Sequence, residues 1–244
     1  MKSEIICVMC VHNEKLNLEP CIKHLYKYVD KFVIYDDESN DNSIEPIKKY
    51  KKVVSIIQEK QKGNHKWRER HNREMVLREA KKVAETNNHW VLCVDPDERF
   101  ELRFLKDLRK IIKDNPNKAI NIHFRELWDN YKQYRCDGIW DIKNRTLLFP
   151  LSDNMTFDYE HEHHIPWIYR ELVDVVSLDY NLYHLKMIKE ADREERRNLY
   201  NKLDPNKEMQ SIGYDYLVDI KNIELKKIKL NNKYNYRTVP KYYK

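Results

Sequence analysis

The densest chemistry in the chain lies between residues 90 and 100, which read W-V-L-C-V-D-P-D-E-R-F. An apolar run from Trp90 to Val94 stops at Asp95, Asp97 and Glu98, and Pro96 cannot supply a ladder hydrogen bond between them. This is the pattern of a buried strand delivering carboxylates to a sheet edge. In an open α/β sheet, ligands occupy the crevice beyond the carboxyl ends of the strands. Paired oxygen ligands at that place suit Mg²⁺ or Mn²⁺, which keep several waters and share a phosphorylated substrate. A D-x-D-E by itself is more often a solvated acidic turn, so the reading depends on what else reaches the same edge.

Two earlier strands reach it. Residues 4–11 form a continuous apolar run, as a strand buried on both faces requires, and end at His12-Asn13-Glu14. Leu18, Cys21, Ile22, Leu25, Tyr26 and Val29 then recur at helical spacing, and the strand Phe32–Tyr35 ends at Asp36-Asp37-Glu38-Ser39-Asn40-Asp41-Asn42-Ser43. A short helix is expected from Ile44 to Tyr50, a third strand from Val53 to Ile57, and a long helix from Trp67 to Glu85 that crowds Arg68, Arg70, Asn72 and Arg73 into its first turns. Cations there oppose the helix macrodipole and call for an anion. Right-handed crossovers put the H-N-E, D-D-E-S-N-D and D-P-D-E ends on one rim. Carboxylates for a metal and for ribose or base, with arginines for phosphate, describe a nucleotide site.

The second half is less regular. A helix over 101–113, strands at 119–124 and 146–149, and an apolar-rich stretch over 172–182 lead to His184 in N-L-Y-H-L-K. Trp128, Tyr131 and Trp140 among polar groups would suit a sugar, although interior packing is the commoner use of such rings. Residues 157–167, F-D-Y-E-H-E-H-H-I-P-W, concentrate Asp158, Glu160, Glu162 and three histidines. Their spacing fits no zinc signature, and a wall supplying a general base is the better reading. Helices are expected over 190–204 and 215–230.

Composition narrows the classes. The chain's 244 residues are enough for one large α/β domain with a C-terminal extension. With only three glycines, neither a G-x-G-x-x-G fingerprint nor a G-x-x-x-x-G-K-[ST] loop exists. That weakens the competing reading of a nucleotidyl- or phosphoryl-transfer enzyme on the same acidic rim. The net charge of +6 belongs to the tail, where residues 186–244 hold 15 Lys and Arg against 9 Asp and Glu. Such a tail suits an anionic polymer or peripheral contact with a membrane surface, or is a solvated face. Nucleic acid is not the expected partner, because the near-neutral first 185 residues and the strand-end carboxylates would repel phosphate. Five cysteines, mostly inside apolar runs, fit reduced thiols, and no run reaches the length of a membrane span, so a soluble cytoplasmic protein is expected. Cys7 and Cys10, three apart on a strand, point to opposite faces and form no pair.

Taken in order, these motifs resemble family-2-type glycosyltransferases of the GT-A fold, in the branch with a W-[IV]-x-x-x-D-x-D-E-x-[FL] core that is also similar to family 92. The residues that carry the resemblance are C-V-H-N-E, D-D-E-S-N-D, R-E-R-H-N, W-V-L-C-V-D-P-D-E-R-F, and Y-H-L-K followed by R-x-x-R-R-x-x-Y, over residues 4–200. The resemblance implies a Rossmann-like, mostly parallel sheet flanked by helices in a domain over residues 1–185. A nucleotide-sugar half would cover about 1–100 and an acceptor half about 101–185, with the basic helical extension of 186–244 packed on them. It implies a nucleotide-sugar donor, with UDP the leading nucleotide, Mn²⁺ or Mg²⁺ as cofactor, and a glycan, glycolipid or protein hydroxyl as acceptor, reacting with inversion. Val11, His12 and Glu14 would border the nucleotide, Asp37 would meet the base, and Arg68 or Arg70 the diphosphate. Asp95 would touch ribose or the metal, Asp97 would bind the metal, and His184 would complete its shell. The usual E-D base motif is not evident, which leaves Glu162, Glu160 and Asp158 as candidates, with Glu162 favoured. Glu38 departs from the glycine common in D-D-G-S.

Overall fold

The structure is a computed structural model and describes residues 3–60, 68–151, 167–168, 173–208 and 210–244. In chain order the elements are β1 (Glu4–Val11), α1 (Leu18–Leu25), β2 (Lys31–Asp36), β3 (Val53–Gln58), α2 (Glu69–Val83), β4 (His89–Cys93), β5 (Glu98–Phe100) and α3 (Leu102–Asp114). There follow β6 (Ala119–Glu126), β7 (Gln133–Arg135), β8 (Asn144–Pro150), β9 (Val175–His184), α4 (Glu190–Leu203) and β10 (Leu225–Lys227).

Eight strands form one mostly parallel sheet in the order β3-β2-β1-β4-β8-β6-β9-β5. The apolar runs read as buried strands are its centre: β1 lies parallel between β2 and β4, and Ile5 to Met9 are fully buried. The flanking helices bury one stripe each, Leu18, Cys21, Ile22 and Leu25 from α1 and Phe104, Leu105, Leu108, Ile111 and Ile112 from α3. That is the stripe width an amphipathic helix needs to close one face of a sheet. Cys7 and Cys10 both lie on β1 as free thiols.

Past β8 the sheet turns mixed. The β8 strand runs antiparallel to both β4 and β6, β9 runs parallel to β6, and β5 pairs antiparallel with β9. This arrangement brings the late strand β9 beside β5, which directly follows the D-P-D turn.

Two expected elements differ. The helix expected over 44–50 is a single 3₁₀ turn, Glu45–Ile47. The second tail helix, expected over 215–230, is also absent: there is a 3₁₀ turn at Asp215–Leu217, and β10 pairs antiparallel with β7. Asn222 sits at φ +56°, a left-handed conformation that ends any helix there, and β7 offers a partner edge. The end of the chain folds back, so that Tyr234, Val239 and Tyr243 pack with Leu127, Tyr183, Leu185 and Ile188.

Candidate active site

The ends of β2, β1 and β4 share one rim. Val11 stands opposite Asp36 and Val8 opposite Cys93, so the residues that follow each strand emerge side by side. His12 Nδ1 donates to the Asp37 carbonyl at 2.6 Å, since a carbonyl can only accept, and Asp37 is fully buried. Asp36 serves the turn itself, accepting from Ser39 N at 3.1 Å and Gln58 Nε2 at 2.7 Å. Glu38 occupies φ +58°, the region glycine enters at no steric cost, which accounts physically for the glycine common at that position. Arg68 caps α2 above the same rim, with Nη2 3.2 Å from the Tyr35 hydroxyl, and Arg70 follows it half-buried in the first turn.

The D-P-D-E turn is braced from below. Arg99, fully buried, donates to the carbonyls of Pro96 and Glu98 at 2.7 Å and to that of Thr238 at 3.1 Å, tying the turn to the tail. Asp95 and Glu98 then meet one cation: Arg145 on β8 lies 3.1 Å from Asp95 Oδ2 and 2.7 Å from Glu98 Oε1. Glu98 Oε2 also accepts from the Asp95 backbone at 2.9 Å.

Asp97 turns the other way. Its Oδ2 lies 3.0 Å from His184 Nε2, and the opposite ring nitrogen, Nδ1, lies 2.5 Å from Glu126 Oε2. Register explains the contact of His184 with Glu126, which stand directly opposite on β9 and β6, and Asp97 reaches the ring from the turn just before Glu98, which also stands opposite His184. Opposed residues project from the same face, so Glu98, His184 and Glu126 form one row across three strands. Lys143 approaches Glu126 Oε1 at 3.2 Å, Lys186 bridges Glu14 at 2.6 Å and Asp97 at 3.7 Å, and Arg196 Nη1 lies 3.3 Å from His184 Nε2. Asn17 donates to the other Glu14 oxygen at 2.8 Å.

Charges in this nest are strongly perturbed. Burial alone would raise the Asp97 carboxyl, but His184, Lys186 and Arg196 hold it far below the usual carboxylate range. Glu126 is likewise held down against burial by His184 and Lys143. Burial opposes charge on His184, yet Glu126 and Asp97 on either side raise it to about 9. Glu98 moves oppositely: burial pushes it up to about 8 despite Arg145. Perturbed groups gathered in this way make the nest a candidate site.

Of the residues expected at a metal, the structure joins two and separates the third. Asp97 and His184 converge, whereas the carboxylate of Asp95 faces Arg145. Among the described residues no group of three or more His, Cys, Asp or Glu is arranged to hold a metal ion. The pair nevertheless fits a hard cation. Ligand atoms 3.0 Å apart suit two neighbouring positions on an ion with bonds of roughly 2.1 Å, and such an ion takes its remaining ligands from water and phosphate. Asp158, Glu160, Glu162 and the neighbouring histidines lie outside the described residues.

The tryptophans serve packing. Trp128 and Trp140 are 1% exposed and meet edge to face at 5.6 Å, with Arg193 4.0 Å over one ring and Lys143 4.0 Å over the other. The sequence reading missed Arg145, Lys143 and Glu126, whose only signal is strand register. Lys186 and Arg196 lay within motifs already noticed, Y-H-L-K and R-x-x-R-R-x-x-Y.

A family model for glycosyl transferase family 2 matches residues 6–170. The chain belongs to glycosyl transferase family 2. The match takes in the rim from Val11 to Asp97, while His184, Lys186 and Arg196 of this glycosyltransferase lie beyond its end. Among solved structures, the chain is similar to residues 1–349 of S. aureus TarS, with a TM-score of 0.52 and 16% identity over 88% of this chain and 69% of that one. A longer S. aureus TarS chain gives a TM-score of 0.55 and 14% identity over 89% of this chain, which spans only 46% of TarS. Likeness at such identities concerns the GT-A fold alone. Comparison with curated proteins by sequence gives no match.

Proposed function

We propose that this family-2 glycosyltransferase moves a sugar from a nucleotide-diphosphate donor, a UDP-sugar, to the hydroxyl of a glycan, glycolipid or protein acceptor, with Mn²⁺ or Mg²⁺ and with inversion. The observation that carries the reading is the Asp97–His184 pair, set on the acidic rim and flanked by Lys186 and Arg196. A rim of that kind holds an anionic leaving group by its cations and a hard cation by its carboxylate.

Val11, His12, Glu14 and Asp37 would receive the base and ribose, with Asp95 at the ribose edge. Arg68 or Arg70 at the start of α2, with Lys186 and Arg196 opposite, would hold the diphosphate. Asp97 and His184 would hold the metal, which when bound supplies positive charge to the departing diphosphate. The chain's remaining task is to take a proton, because an inverting transfer needs a carboxylate near the acceptor hydroxyl as that oxygen attacks the anomeric carbon in line. Glu162 is the leading base, with Glu160 and Asp158 as its alternatives.

The donor half is assigned to about residues 1–100 and the acceptor half to about 101–185. The lysine-rich tail is assigned to peripheral contact with a membrane surface on the cytoplasmic side, compatible with the absence, among the described residues, of any helix long and apolar enough to cross a membrane.

The test is release of nucleoside diphosphate from a panel of nucleotide sugars, with Mn²⁺ and pooled sugar acceptors. One donor, turned over only with metal and accelerated by acceptor, is the expected result. No release from any donor, together with salt-sensitive binding of RNA or DNA, would overturn the reading.

A further inference from the structure

We infer that Glu126 is a positioning residue that fixes the tautomer and orientation of His184, so that Nε2 is the ring atom presented beside Asp97. The inference rests on the metal reading above.

Glu126 ends β6 and His184 ends β9, and the parallel register sets them opposite each other. The Nδ1–Oε2 distance is 2.5 Å, and the two side chains are 4% and 5% exposed, so water does not compete for the contact. An ionised carboxylate accepts only, so the proton of this bond sits on Nδ1. With no cation bound, Nε2 is the donor of the 3.0 Å contact to the Asp97 carboxylate; a cation beside Asp97 would take the place of that proton, and because Glu126 keeps the other proton on Nδ1, the Nε2 lone pair is the one the cation would meet.

The surroundings restrict Glu126 and the ring to this arrangement. The other Glu126 oxygen is held by Lys143 at 3.2 Å, and Lys143 lies 4.0 Å over the buried Trp140 ring. Phe124, two residues earlier on β6, stands 5.4 Å from the imidazole centre and limits its tilt. Backbone bonds close both sides of the row, from Leu185 N to the Asp97 carbonyl at 2.9 Å and from Leu127 N to the His184 carbonyl at 3.1 Å. Lys143 and His184 use separate oxygens, so Glu126 is more than a counter-ion for the lysine. Without Glu126, Nδ1 would be buried with no acceptor. A neutral ring would then keep its one proton on Nε2, shared with Asp97, and a cation beside Asp97 would meet a donor rather than a lone pair.

The experiment is a Mn²⁺ titration of the whole chain, followed by the electron paramagnetic resonance of the free ion. Wild type is compared with Lys143→Met and with the double variant Glu126→Met/Lys143→Met, which removes the acceptor without stranding the lysine. Wild type and Lys143→Met are expected to bind Mn²⁺ alike, and the double variant to bind roughly 10–100-fold more weakly, the range found when such outer partners are lost. Should the double variant fail to fold, Glu126→Gln replaces it. The amide oxygen introduced by that substitution would still accept from Nδ1, whereas Glu126→Leu offers no acceptor, so Mn²⁺ binding kept by the glutamine and weakened by the leucine supports the role, and equal binding by the two contradicts it. Equal affinity in wild type and double variant overturns the role of Glu126 and leaves the metal reading standing. No Mn²⁺ binding by wild type overturns both.

Discussion

Asp97 and His184 are 87 positions apart in sequence and 3.0 Å apart in space. One follows β4, and the other ends β9, the last strand of the main sheet in chain order. They meet because β5 carries the chain from the D-P-D turn into antiparallel pairing with β9. The acidic rim therefore takes its charge from the first half of the chain and its neutralising groups, Arg145, Lys186 and Arg196, from the second.

Asp97→Asn removes the charge while keeping the shape. Transfer is expected to fall by about 10²–10³-fold, the usual cost of losing one electrostatic element at a transition state. Steady-state kinetics with the accepted donor read this directly, and unchanged turnover would remove Asp97 from the metal.

Glu162→Gln is expected to stop transfer and leave donor affinity intact, since a general base acts on the acceptor and not on the nucleotide. Calorimetric titration of donor separates the two effects. Glu160→Gln and Asp158→Asn, run beside it, should retain turnover, and if one of them is the dead variant the base is reassigned to it.

Arg145→Met tests stability rather than chemistry. It strips the shared cation from Asp95 and from Glu98, whose side chain is 2% exposed. Breaking a buried pair on one side is costly, but Arg145 is 32% exposed, so the expected loss is about 2 kcal/mol in urea unfolding. A change near zero would mean that Glu98 is comfortable as a neutral acid without its partner.

His24 predicts a pH dependence away from the site. It is 3% exposed, its Nε2 donates to the Phe100 carbonyl at 3.0 Å, and burial, aided by Arg99, lowers it from 6.5 to about 3. The unfolded chain therefore binds a proton that the folded chain refuses between those values. This stability is complete above pH 6.5 and is lost as the pH falls, by about 2 kcal/mol at pH 5. His24→Leu should flatten that part of the profile while lowering stability at neutral pH through the lost hydrogen bond. An unchanged acid slope in the variant would contradict it.

Much of this was legible in the residues. Runs such as E-I-I-C-V-M-C-V and W-V-L-C-V carry the signature of buried strands, and the parallel order β2-β1-β4 then brings H-N-E, D-D-E and D-P-D-E to one rim. Asp97 and His184 were visible as metal-type residues at strand ends. The cations and Glu126 were not, because periodicity says which residues share a strand face but not which strands become neighbours. Arg145 reaches Asp95 only because β8 inserts antiparallel beside β4. The tail misled for a local reason: Ile220, Ile223, Leu225, Ile228 and Leu230 recur at intervals between the helical and strand periods, and the left-handed Asn222 with the open edge of β7 decided for extended chain.

Binding of a nucleoside diphosphate at the rim, through a metal held by Asp97 and His184, is the core of the proposed function. Thermal-shift measurement with UDP and other nucleoside diphosphates, with and without Mn²⁺, tests it most directly, because ligand binding raises the melting temperature by mass action. A rise is expected with one diphosphate, requiring Mn²⁺ and disappearing in Asp97→Asn. A rise that is the same without metal, or no rise with any nucleotide, would contradict it.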